Sequence, residues 1–380
     1  MTEMQRLKFG TNPVIIAIIL VLLVTNPMFF YYKMIGGTIE NDHCSQTYMA
    51  TLSSGGFPAP NKVHGDPTLE QLSGNPTIGS ISCLVPLVPI YDRIVNTAGL
   101  AHVVPNRKIP RTIHVSMKSR CMPPDISNAM TAWKEALPYH SFYFHDDDAV
   151  DRLFQLEWKE FPHVNNMLRC VRFKGAMKID VWRILIIYKY GGIYTDIDMI
   201  PGELLSEISP IQPDDEAVFL SDSWNRPSQW FFAMEPNHPV AYYTMFEIFK
   251  RLQDLTNIEK PKVVFVTGPD ALKHGYGAAL GWKGGDNIWD FGTHPCKFGK
   301  TVTKIPQGVK GEMYVDRLDL GSIVAWNATE NVTMKERIER QHGVVHWTKQ
   351  AYKKKVEFHG TCLDFLYTLD HGLNLSKVFV

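Results

Sequence analysis

Two aspartates, Asp196 and Asp198, stand one residue apart near the end of the stretch YKYGGIYTDIDMIP, residues 188–201. Side chains two apart on a strand share a face. The spacing therefore predicts a small, doubly anionic oxygen site at a strand end, entered through Ile193 after the glycines 191 and 192. Hard divalent cations such as Mg²⁺ or Mn²⁺ favour such oxygens when a phosphate supplies further ligands. A bare D-x-D is more often only a solvated strand end. HDDDAVD, residues 145–151, contains several such pairs, and these read as the polar start of a helix. What distinguishes the first pair is the helix before it. Asp180 and Arg183 are three apart, hence neighbours on one helical face, and they sit among Trp182, Ile184, Leu185, Ile186 and Ile187. A buried charge needs a partner. Asp180 and Arg183 either satisfy each other or together hold a polar ligand.

The elements that must position these groups follow from periodicity. RTIHV (111–115), SFYF (141–144), AVFL (217–220), WFFA (230–233) and VVFV (263–266) read as strands. Helices are expected over 125–137, 148–156, 174–190 and 240–252, the third of them ended by the glycine pair. Strands alternating with helices predict an α/β domain with a largely parallel sheet, and ligands of such sheets sit at the carboxyl ends of the strands.

The 380 residues are 45% hydrophobic and 21% charged, with 39 Lys plus Arg against 39 Asp plus Glu. That composition builds a core and offers no basic excess for nucleic acid; the basic run KQAYKKK (349–355) reads as a solvated helix face. Residues 13–32 carry no charge, enough length to cross a bilayer as a helix. Arg6 and Lys8 before them place the tail in the cytoplasm. The expected organisation is a cytoplasmic tail (1–12), a transmembrane signal anchor (13–32), a lumenal stem (33–106) and a catalytic domain (107–380). A cleaved signal peptide is the alternative to the anchor. Sequons at Asn327, Asn331 and Asn374 agree with a lumenal body, and six cysteines allow 15 full pairings among which sequence does not choose.

Taken in order, Asp180, Arg183, Gly191, Gly192, Tyr194, Asp196 and Asp198 resemble the DXD sugar-binding region of glycosyltransferase family 32 and the related clostridial toxin transferases. IPRTIHVS (109–116), VTGPDAL (266–272) and VVHWTKQ (344–350) resemble further marks of that family. SQWFFAMEPNHP (228–239) looks most like the fungal initiation-specific α-1,6-mannosyltransferases, although many other members have Asn where Gln229 stands. The resemblance implies an α/β fold of GT-A type: a Rossmann-like nucleotide-sugar-binding domain, preceded here by the transmembrane helix and stem. It implies transfer of a hexose, with retention, from a nucleoside diphosphate sugar to a glycan or glycolipid acceptor in the Golgi. GDP-mannose is the first expectation and a UDP-sugar (galactosyl, glucosyl or N-acetylglucosaminyl) the alternative.

The catalytic set carried over is Asp180, Arg183, Asp196 and Asp198. The donor contacts are Ile113, His114, Tyr194, Gln229, His346 and Trp347. The ligands to Mn²⁺ or Mg²⁺ are Asp196, Asp198 and His346. For His346 an ordinary, partly buried histidine is the other reading. A glycoside hydrolase, whose two carboxylates flank the bond roughly 5–9.5 Å apart, suits this spacing poorly. A non-catalytic membrane protein that binds glycans would have no use for the whole set.

Overall fold

The structure, a computed structural model, describes residues 65–100, 104–161, 175–222, 224–255, 262–282 and 290–306, besides residues 164, 169 and 362 and short strand pieces at 324–326, 328–329 and 332–333. Its centre is a seven-stranded sheet. In chain order the strands are β2 (Thr112–Ser116), β4 (Ser141–His145), β5 (Gly192–Thr195), β7 (Ala217–Ser221), β8 (Pro227–Met234), β9 (Gly292–Pro295) and β10 (Thr301–Ile305). Across the sheet they run β4-β2-β5-β8-β7-β10-β9. The pairs β2/β4, β2/β5 and β7/β10 are parallel, while β5/β8, β7/β8 and β9/β10 are antiparallel.

Alternation along the strands sorts the two faces. Ile113, Val115, Phe142, Phe144, Ile193, Val218, Leu220, Phe231 and Ala233 form one apolar layer. It is covered by helix α2 (Pro124–Ala136), whose Ile126, Ala129, Met130 and Trp133 recur at helical spacing and are buried. Pro124 opens this helix at its first position, where the missing N–H costs nothing. The opposite face is a run of rings: His114, Tyr143, His145, Tyr194, Phe232 and Phe219. Trp182 of α4 (Gly175–Tyr190) and Tyr276 of α7 (Pro269–Ala279) close over it. Helix α4 is buried continuously from Asp180 to Tyr188, as its all-apolar periphery predicts. Helix α5 (Pro239–Gln253) packs against α7 closely enough that a Cβ on Gly275 would strike the Thr244 backbone.

The expected GT-A-type, Rossmann-like architecture behind a transmembrane helix and a stem is corrected in three respects. First, the sheet is mixed. The link from β7 to β8 runs only from residue 222 to 226, too short for a crossover, so the two must form an antiparallel hairpin. VVFV is moreover not a strand but the short helix α6 (Val263–Val266), with Val263 and Val266 buried and the two residues between them exposed.

Second, part of the supposed stem is folded onto the domain. Helix α1 (Leu69–Ser73), closed by a capping box between Thr68 and Gln71, takes a hydrogen bond from Tyr143 Oη to Glu70 Oε1 at 2.7 Å. Strand β1 (Val88–Pro89) pairs with β3 (Cys121–Met122), and a Cys83–Cys121 disulfide ties the same two segments. Arg120 binds Asp92 at 3.0 Å and the Ser73 carbonyl at 2.8 Å. Of the apolar piece 81–91, Ile90 enters the core whereas Leu84 and Val85 face solvent. Third, among the described residues no helix is long and apolar enough to cross a membrane, and residues 13–32 lie outside them. What stands is a mixed α/β domain around a large central sheet. The sequon asparagines 327, 331 and 374 and the 349–355 run also lie outside the described residues.

His238 caps α5. Its Nδ1 accepts from Val240 N at 3.3 Å, so its Nε2–H donates to the Thr301 carbonyl at 3.0 Å, and only the neutral ring can do both. Burial lowers its pKa to about 4, against the Thr301 hydrogen bond, which raises it. Burial lowers His114 and His145 in the same direction. A histidine depressed in the folded state binds fewer protons there than in the unfolded chain. Its stabilisation is therefore complete above about pH 6.5 and is lost as pH falls toward about 4, on the order of 3 kcal/mol for His238. The urea midpoint is expected to drop between pH 7.5 and pH 5, and His238→Asn, which keeps a cap without the titration, to drop less. Equal slopes for both proteins would contradict this.

Candidate active site

The glycine pair does what its position demands. Gly191 (φ 67°) and Gly192 (φ 102°) carry the chain from α4 into β5 in backbone conformations that side chains resist. Gly191 N still closes on the Ile187 carbonyl at 2.9 Å. Because Tyr194 lies on the sheet face beneath α4, the next residue on that face, Asp196, emerges beside the helix. There it meets Arg183.

The Arg183 guanidinium is the hub. Its Nη2 lies 3.2 Å from Asp180 Oδ1 and its Nη1 3.1 Å from Asp196 Oδ1. Nη1 also donates to the Gln229 carbonyl at 2.8 Å, and the guanidinium stacks 4.6 Å over the Tyr194 ring. Tyr194 Oη donates to Asp196 Oδ1 at 2.6 Å. Behind these, Thr267 Oγ1 donates to Asp180 Oδ2 at 2.9 Å, and Gln229 Nε2 donates to the Thr267 carbonyl at 3.1 Å. The two readings of Asp180 and Arg183 thus resolve into a third: the pair satisfies itself and also holds Asp196. Arg183 Nε, buried, has no hydrogen-bond acceptor among the described residues.

The electrostatics follow from burial and crowding. Burial pulls the Arg183 guanidinium down, but Tyr194, Asp196, Asp180 and Asp198 around it hold its pKa above the ordinary value. Burial pushes Asp180 up to about 6 against the opposing pull of Arg183 and Thr267. Tyr194 is driven well above the usual phenol range, first by burial. Asp196, whose side chain is 26% exposed against 8% for Asp180 and 11% for Arg183, is the opening of the cluster to solvent.

The strand geometry expected for the two aspartates is corrected. Strand β5 ends at Thr195, paired with Phe231, and Asp196 N makes one further hydrogen bond to the Trp230 carbonyl. The chain then turns, with Met199 N bonded to the Asp196 carbonyl at 3.2 Å, and enters β6 (Met199–Pro201). Asp196 and Asp198 therefore flank a turn rather than share a strand face. Asp198 is buried. Trp133 Nε1 donates to the Met199 carbonyl at 2.9 Å and so fixes the turn's exit from the α2 side.

Two of the expected donor contacts have side chains that lie inside the domain. Ile113 belongs to the apolar layer under α2, and His114 is enclosed beneath α4, hydrogen-bonded to His145 (3.2 Å) and the Gly191 carbonyl (3.1 Å). Neither side chain reaches the surface. Tyr194 and Gln229 do join the cluster, as buried supports of Asp196 and Arg183. His346 and Trp347 lie outside the described residues. Thr267 was not among the expected site residues. Its sequence signal was the T-G-P that opens α7, where a hydroxyl beside a Gly-Pro helix start has no capping duty and is free to serve Asp180.

Residues 111–252, which contain the whole cluster except Thr267, match the family described as the glycosyltransferase sugar-binding region containing the DXD motif. This stretch is similar to a glycosyltransferase sugar-binding region. Over 152 residues the chain is 28% identical to inositol phosphoceramide mannosyltransferase 1 of Schizosaccharomyces pombe, covering 38% of this chain and 44% of that protein. Over 94 residues it is 28% identical to the initiation-specific alpha-1,6-mannosyltransferase of Candida albicans, covering 25% and 24%. The chain thus spans less than half the length of these relatives. Among solved structures, a PaToxG glycosyltransferase aligns at a TM-score of 0.35 and 16% identity, over 47% of this chain and 71% of that one. The carboxylates, the guanidinium and the tyrosine converge within the matched residues, where Asp196 and Asp198 form a D-x-D pair.

Proposed function

We propose that this protein transfers a hexose from a nucleoside diphosphate sugar to a glycan or glycolipid acceptor, with mannose from GDP-mannose as the first candidate. The observation that carries the reading is the Asp180–Arg183–Asp196 ion cluster inside the DXD region, most open to solvent at Asp196. The names of the two relatives support mannose.

In the proposed step the bond from the sugar's anomeric carbon to the diphosphate oxygen breaks, its electron pair leaving with the phosphate. The acceptor hydroxyl oxygen bonds to that carbon on the same face, and its proton passes to the departing diphosphate. Arg183 and Asp196 orient the sugar. Asp180, Thr267, Gln229 and Tyr194 act through them as positioning residues, because each is buried and spends its hydrogen bonds inside the cluster.

Among the described residues no three His, Cys, Asp or Glu side chains converge as a metal site. Two carboxylates at a turn nevertheless fit Mn²⁺ or Mg²⁺, which commonly take one or two protein carboxylates and complete their shell with substrate phosphates. Asp196 and Asp198, with His346, would hold the ion, which when bound would neutralise charge growing on the leaving diphosphate. The Cys83–Cys121 disulfide and a further disulfide at Cys362 support work in an oxidising compartment of the secretory pathway, the Golgi in first place.

The test is nucleotide release by the full-length chain from GDP-mannose, UDP-galactose, UDP-glucose and UDP-N-acetylglucosamine, each with Mn²⁺ or with chelator and a mannobiose acceptor. Metal-dependent GDP release is expected. Release from a UDP-sugar alone would keep the reaction and overturn the donor.

A further inference from the structure

The hairpin loop between β7 and β8, outside the cluster, presents Trp224 with 63% of its surface exposed. A large aromatic so placed costs solvation unless something covers it, and this loop is built to hold it still. Asp222 Oδ1 accepts from Trp224 N (2.9 Å) and Arg226 N (2.8 Å). Asp222 Oδ2 accepts from Arg226 Nε at 2.8 Å and pairs with its Nη2 at 2.7 Å. The Arg226 guanidinium then lies 4.6 Å over the indole. Beneath the loop, Lys304 of β10, itself buried, donates to the Asn225 carbonyl at 2.6 Å.

The loop's position follows from the register. Thr195, the last residue of β5, is opposite Phe231, and Ser221, the last of β7, is opposite Pro227, so both strands end at the same edge of the sheet. Only β8 lies between them. The Asp196 turn and the Trp224 loop therefore emerge at the same edge, two strand spacings apart across the sheet and with the Trp224 loop reaching four residues further along β8, a separation of roughly 16 Å in all. That separation is of the size of a short oligosaccharide.

We propose that Trp224 is the platform on which a sugar ring of the acceptor stacks while the acceptor's reactive hydroxyl faces the DXD turn. A pyranose presents a face of C–H groups and a rim of hydroxyls. The exposed indole matches the face, and Asp222, Asn225 and Arg226 around it match the rim. A lone aromatic within polar surroundings suits such a ring better than it suits a broad apolar partner. The proposal deepens the transferase reading by naming where its acceptor lies.

The test is titration of full-length protein with α-1,6-mannobiose, lactose and cellobiose, followed by saturation-transfer NMR and indole fluorescence. At least one disaccharide is expected to bind, with its dissociation constant raised tenfold or more by Trp224→Ala and held within about threefold by Trp224→Phe. Unfolding temperatures of both variants serve as the folding control. Binding of no disaccharide, or equal binding by wild type and Trp224→Ala, would overturn the platform. Nucleotide release by the same wild-type preparation separates the two readings. Release together with Trp224-independent sugar binding sinks the platform alone. Trp224-dependent binding without release from any donor keeps the platform and sinks the transferase.

Discussion

Arg183→Ala is expected to cost the fold about 3–5 kcal/mol, the usual loss when one partner of a buried ion cluster is removed, and to abolish nucleotide release. The guanidinium is the cation placed between Asp180 and Asp196. Without it, among the described residues, Asp180 keeps only the Thr267 hydroxyl and Asp196 only the Tyr194 hydroxyl as side-chain partners, and the Gln229 carbonyl loses a donor. Arg183→Lys is expected to recover part of the stability and little of the activity, because a single ammonium cannot serve Asp180, Asp196 and Gln229 in the guanidinium's planar geometry. The double variant Arg183→Ala/Asp180→Ala is expected to be less destabilised than the two single losses added, since removing Asp180 takes away one of the uncompensated charges. A urea midpoint for Arg183→Ala within error of wild type would show that the cluster does not hold this region together.

Gly192→Ala is expected to be the most damaging methyl group that can be added near the site. The residue sits at φ 102°, and a Cβ there would lie 2.7 Å from the Thr112 carbonyl oxygen and still closer to the Thr112 hydroxyl. A left-handed backbone costs an L-residue about 1–2 kcal/mol, and overfilling a tight site adds typically 1–3 kcal/mol. The overlap falls where β5 passes β2, so relief would break the His114–Tyr194 pairing and shift Asp196 from Arg183. Gly191→Ala meets Pro236 and Pro110 at 2.7 and 2.8 Å and should behave similarly. Either variant folding with wild-type stability in thermal unfolding would refute the close approach.

The sequence carried these features unequally. Helix α4, its termination at the glycine pair and the Asp180–Arg183 face were legible because burial on all sides, a left-handed stop and an i,i+3 pair each leave a local signature. The helix at HDDDAVD was legible for the same reason: Asp146 caps it, accepting from Ala149 N at 3.0 Å. The turn at Asp196–Asp198 was not. D-I-D-M alternates like a strand, and only the end of pairing at Thr195 and the Trp133 bond to Met199 convert it to a turn; both are tertiary facts. VVFV misled for a related reason, since β-branched residues favour strands until packing overrides them. The antiparallel β7/β8 pair left a signal that composition obscured, namely a five-residue link that admits only a hairpin. Cysteine pairing and the docking of residues 65–93 on the domain depend on contacts distant in sequence, such as Arg120 with Asp92.

The measurement that bears most directly on the central claim is nucleotide release from GDP-mannose by wild type and by Asp198→Asn, in Mn²⁺, with unfolding temperatures recorded for both. Asparagine keeps the volume and removes the charge. The account predicts a loss of at least a hundredfold in release with an unfolding temperature close to wild type. Release by Asp198→Asn at the wild-type rate, from a protein as stable as wild type, would contradict it.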